Sequence, residues 1–148
     1  MNRNDENPVF ERVVEEYNKN APEGLEAKFE KKTWYREIHL NERGIKSEVH
    51  YEFCDNRDDR NVSADIHLQH PDVAYLADTL HTFDGKKLPE TGGIMKISDA
   101  HRRKYGVLSV EFPYDEPAEN IANAMHELIK ITLGTIEEKY KEGTPETV

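Results

Sequence analysis

The chain has 148 residues, 34% of them charged, and a formal net charge of -10. That length fits one domain spanning residues 1–148 and can bury a core without covalent staples. The acid excess disfavours wholesale nucleic-acid binding, which needs clustered Lys and Arg, and no apolar run approaches the length of a membrane span.

A single cysteine, Cys54, cannot form an internal disulfide. Met1 to Asn7 is polar and lacks the apolar stretch of a signal peptide. A reducing, cytoplasmic setting is therefore expected. The ordered core is expected over about residues 8–140, with short polar tails at both ends.

Phe10, Val13, Val14 and Tyr17 recur at i, i+3, i+4 and i+7, which predicts a helix over Pro8 to Asn20. Asn20 to Gly24 breaks it. Leu25 to Lys31 and Thr33 to Leu40 read as two strands. Asn41-Glu42-Arg43-Gly44 turns into a strand over Ile45 to Cys54, the charged loop Asp55 to Asn61 follows, and Val62 to Gln69 is the fourth strand.

A helix is predicted over Pro71 to Phe83, with Val73, Leu76, Ala77, Leu80 and Phe83 as its stripe and Gly85 as its stop. Ile94 to Ile97 and Val107 to Phe112 form a hairpin with a long tip. The last helix starts at Pro117 and buries Ile121, Ala124, Met125, Leu128, Ile131, Thr132 and Ile136. The order is α-β-β-β-β-α-β-β-α. It predicts a two-layer α+β fold, a mostly antiparallel sheet with helices on one face and the other face wet.

Period-2 alternation puts Val49, Tyr51 and Phe53 on one side of the third strand and Glu48, His50 and Glu52 on the other. The fourth strand sets Asp65 and His67 opposite Ala64 and Ile66. If the strands pair in order, His39, His50 and His67 gather on the wet face with Glu37, Glu48, Glu52 and Asp65. This is the candidate metal or partner face. Imidazole and carboxylate groups are zinc ligands, and directly opposed side chains lie about 4.5–5.5 Å apart at Cβ. Cys54 shares this parity and reads as a partly exposed thiol before the charged loop.

The dense basic run His101-Arg102-Arg103-Lys104 at the hairpin tip is a second candidate, a contact for phosphate or an acidic partner. Other motifs fail. His126-Glu127 lacks the second histidine of a zincin, since Lys130 stands there. Asp72 with Asp84-Gly85-Lys86 imitates a restriction-nuclease pattern, but helical spacing puts the two acids about 18 Å apart. Glu26-Ala27-Lys28 has no acidic strand before it. No dinucleotide, Walker or nucleophile-elbow motif occurs, so no organic cofactor is expected, and zinc or another divalent ion is the sole cofactor candidate.

Trp34, the Ile66-His67-Leu68 strand before the second helix, and the last helix with Met125 and Leu128 carry a resemblance over Phe10 to Tyr140. The chain resembles the domain of unknown function that accompanies restriction-type nucleases, which implies a non-catalytic companion. Its order and acidity also resemble type III secretion chaperones, which implies a homodimer that wraps an extended segment of a protein partner. The functional expectation is a non-catalytic protein-interaction or regulatory module. The alternatives are a metal-dependent hydrolase on the histidine face, with Glu48 or Asp65 as general base, and an acidic DNA mimic that occupies a DNA-binding protein.

Overall fold

Asn7 opens the first helix of the computed structural model, which describes residues 5–29, 32–98 and 105–143. The Asn7 side chain accepts the Val9 N–H at 3.1 Å, and Pro8 takes the first turn, where a missing N–H costs nothing. Helix α1 (Pro8–Lys19) buries the expected stripe of Phe10, Val13, Val14 and Tyr17. Truncating Phe10 to alanine in such a site costs about 3–5 kcal/mol.

The first strand is shorter than its pattern suggests. Strand β1 is only Lys28–Phe29. The Asn18 side chain accepts the Ala27 N–H at 2.8 Å and donates to the Ala27 carbonyl at 3.0 Å. The Tyr17 hydroxyl donates to the Leu25 carbonyl at 2.7 Å. These bonds tie residues 25–27 to α1 instead of to a neighbouring strand.

Strand β2 (Tyr35–His39) leads into a 3₁₀ turn at Asn41–Arg43, closed by Gly44 at a φ of 79°. The strand expected from Ile45 begins only at Val49, because residues 46–49 form a turn in which the Val49 N–H bonds to the Lys46 carbonyl at 3.1 Å. Strand β3 (Val49–Asn56) and strand β4 (Asn61–Leu68) then form a hairpin. The second predicted helix splits into a 3₁₀ segment, Pro71–Leu76, and helix α2 (Ala77–His81). Val73 and Leu76 sit three apart and eclipse on the buried side, as 3₁₀ geometry requires.

Strand β5 (Lys96–Ile97) and strand β6 (Gly106–Pro113) follow, and helix α3 (Ala118–Gly143) closes the chain. The six strands lie in the order β1-β2-β3-β4-β6-β5, and every neighbouring pair is antiparallel. This is the α+β architecture read from the sequence. Ile38, Tyr51, Phe53, Ile66 and Val110 face the helices, where Tyr17 packs edge-on to Phe53. Of the α3 stripe, Ile131 is half-buried, while Glu127, unexpectedly, is buried. No helix among the described residues is long and apolar enough to cross a membrane.

The second sheet face departs from expectation. It carries the polar parity, yet it is not wet at its centre. His50 is 0% exposed, Asp65 and His67 are 1%, and Glu52 is 5%.

Candidate metal centre

Antiparallel register decides which polar side chains meet. His39 is paired with His50 and His50 with His67, so the three histidines form one row across β2, β3 and β4. The next row is Glu37, Glu52, Asp65 and Ser109, and the third holds Tyr35, Cys54, Ser63 and Glu111. The connection at residues 40–48 sets His39 against His50, and the tight turn at residues 57–60 sets His50 against His67, an alignment the alternation pattern leaves open.

Short contacts join the rows. His50 Nε2 lies 3.1 Å from Glu52 Oε1, and His67 Nδ1 lies 3.4 Å from Glu52 Oε2. His67 Nε2 lies 3.0 Å from Asp65 Oδ2. The Ser109 hydroxyl donates to Asp65 Oδ1 at 2.6 Å, and the Cys54 thiol donates to Glu52 Oε2 at 2.8 Å. At the open end His39 Nε2 sits 3.2 Å from Glu37 Oε1, with both side chains partly exposed. Glu37 Oε1 is also 3.7 Å from His50 Nε2.

His50 Nδ1 lies 2.9 Å from the Ser47 carbonyl, which can only accept, so Nδ1 is the donor. Nε2 meanwhile faces a carboxylate. Burial opposes a charge on this ring, but the hydrogen bond to Glu52, the carboxylates of Glu52 and Glu37, and the Ser47 carbonyl outweigh it and raise the His50 pKa. Burial likewise opposes the Glu52 charge. The His50 hydrogen bond, the fields of His67 and His50, and the Cys54 hydrogen bond overcome it and hold Glu52 at about 2. Burial pushes the Cys54 thiol well up, and the Asp65 and Glu52 carboxylates push the same way. The expected partly exposed thiol is thus a buried, hydrogen-bonded one.

Two sets of three donors result. His50, Glu52 and His67 have ligand atoms within 4.8 Å of one another, and so do Cys54, Asp65 and His67. His39 lies in neither set, its ring 6.1 Å from that of His50, and Glu52 stands where the sequence pattern suggested a third histidine. Glu48 precedes β3, half-buried, and joins neither set. Cys54 and Ser109 were missed as site residues. The parity of Cys54 was the signal for the first, and the Ser109 place in the β4–β6 register supplies the second.

The geometry suits an ion. Zinc binds nitrogen and oxygen ligands at about 2.0–2.2 Å, so neighbouring donors of a tetrahedral site lie roughly 3.3–3.6 Å apart. The contacts of Glu52 with the two histidines, 3.1 and 3.4 Å, are close to that edge. The Ser47 carbonyl holds the far nitrogen of His50 and Ser109 holds the far oxygen of Asp65, the outer hydrogen bonds that orient metal ligands.

The other candidates fare differently. Asp72 is exposed and lies 3.4 Å from His70 Nδ1, while Asp84 Oδ1 accepts the Ile97 N–H at 2.9 Å, so the two nuclease-like acids make separate contacts. His126 stacks on Tyr17 with ring centroids 4.4 Å apart. His101, Arg102, Arg103 and Lys104 lie outside the described residues. No family model, curated protein or solved structure matches this chain.

Proposed function

We propose that this protein is a metal-binding module that holds a divalent transition ion between β3 and β4, with His50, Glu52 and His67 as ligands. The observation that carries this reading is the convergence of three buried donors of zinc-ligand type within 4.8 Å. Two buried carboxylates, Glu52 and Asp65, are costly without positive charge beside them, and a dication compensates both. Protonation of His50 Nε2 occupies the lone pair that the ion needs, so binding competes with acid. Because the donors are buried, the site favours retention of an ion over turnover of a large substrate. A protein partner held on this face, the first expectation, has little exposed surface at its centre.

One observation favours the hydrolytic alternative. Three protein donors leave a fourth position for water, and Glu37 and His39 reach solvent beside it. Ester hydrolysis by the zinc-loaded protein, abolished by His67→Ala, would support that reading.

The test is elemental analysis of untagged protein purified without chelators, beside a His50→Ala, His67→Ala double variant. Stoichiometric metal that the variant lacks supports the proposal. Metal-free protein that also fails to take up added zinc or cobalt overturns it.

A further inference from the structure

We propose that the centre holds two ions, not one, with the imidazole of His67 between them. This deepens the metal-binding reading and rests on it. His67 is the only residue common to the two donor sets. Its two ring nitrogens lie beside different carboxylates, Nδ1 3.4 Å from Glu52 and Nε2 3.0 Å from Asp65. A single ion can use only one of these nitrogens. The first ion takes His50, Glu52 and Nδ1, and the second takes Cys54, Asp65 and Nε2.

The two positions differ in chemistry. The first offers two nitrogens and an oxygen. The second offers sulfur, oxygen and nitrogen, a softer set suited to zinc, cobalt(II) or cadmium. Charges balance at full occupancy. Two dications meet the carboxylates of Glu52 and Asp65, the thiolate of Cys54 and the imidazolate of His67. Cys54 gives up its thiol proton and His67 its last ring proton to solvent as the ions enter. Ser109 holds Asp65 Oδ1 at 2.6 Å and leaves Oδ2 for the second ion. The sheet register places these ligands before any ion arrives, because Glu52 faces Asp65 directly across β3 and β4.

The experiment is titration of chelator-treated full chain with cobalt(II), following dialysed stoichiometry and the near-ultraviolet thiolate-to-cobalt band. The expected result is two cobalt ions per chain, with the band arising from one of them. Cys54→Ser should bind one ion without the band. His50→Gln should bind one ion with it. Magnetic susceptibility of the fully loaded protein should fall below that of two isolated ions, as coupling through a bridging imidazolate requires. One ion in the wild-type chain overturns the two-ion inference and leaves the single site standing. No ion at all overturns both. Two ions in either variant overturn the assignment of the sets, and the wild-type stoichiometry decides the matter even where a variant does not fold.

Discussion

His50 and His67 are direct cross-strand partners on β3 and β4, their ring centroids 5.4 Å apart, with the Glu52 carboxylate against both. Glu52 is therefore the keystone of the metal-free cluster. Glu52→Gln keeps the volume but removes the charge that both rings face. Breaking a buried pair in this way costs about 3–5 kcal/mol. Urea denaturation of chelator-treated protein should show that loss as a lower midpoint at unchanged slope. Glu42→Gln, on the exposed turn, should stay within about 0.5 kcal/mol of wild type.

The same pair makes stability depend on pH from both sides. Glu52 titrates at about 2 in the folded chain, below its ordinary value of 4.5. Its contribution is present above 4.5 and is lost as pH falls toward 2. The folded pKa of His50 is raised above 6.5, so its contribution is full below 6.5 and is lost as pH rises through the raised value. Urea midpoints of metal-free protein across pH should fall away on both sides, and Glu52→Gln should flatten the acid limb. An acid limb unchanged in Glu52→Gln would refute this assignment.

Tyr51 and Thr132 test hydrogen-bond asymmetry in the core. The Thr132 hydroxyl donates to the Leu128 carbonyl at 2.7 Å and so accepts from the Tyr51 hydroxyl, also at 2.7 Å. Tyr51→Phe removes the donor and leaves Thr132 with its own bond made. Thr132→Val strands a buried phenol, which costs about 1–3 kcal/mol. Thermal denaturation should rank Thr132→Val as the more damaging change.

Glu127 is a buried carboxylate that anchors a loop. It accepts the Thr91 N–H at 3.1 Å, the Thr91 hydroxyl at 2.7 Å and the Glu90 N–H at 2.5 Å. Glu127→Ala should speed amide hydrogen exchange at Glu90 and Thr91 at least tenfold, while the amides of β3 and β4 keep their protection. Unchanged exchange at both loop amides would remove this anchoring role.

Gly93 passes close to β6. A Cβ there would lie 2.5 Å from Val110 Cγ1 and 3.0 Å from Phe112 Cζ. Gly93→Ala should destabilise by about 1–3 kcal/mol through overpacking, measured by urea denaturation.

Much of this molecule is legible in its sequence. The stripe Phe10, Val13, Val14, Tyr17 specifies α1 and its buried side, and alternation in β3 and β4 puts Tyr51, Phe53, Ala64 and Ile66 in the core. Local periodicity is enough for these, because a helix or strand shows its partners one face whatever lies beyond. The polar parity of His50, Glu52, Asp65 and His67 was equally plain. Its burial was not, since alternation separates two faces without saying that the polar one stays in water. Tertiary structure alone decided three things. The Asn18 amide took over residue Ala27 and cut β1 short. The turn before Val49 set His50 level with His39, and the tight turn at Arg57–Arg60 set it level with His67, because register is a property of the connection and the paired strands, not of either strand's pattern. That register also placed Glu52 between the rings and Cys54 beside Asp65, turning a row of histidines into two donor sets joined at His67.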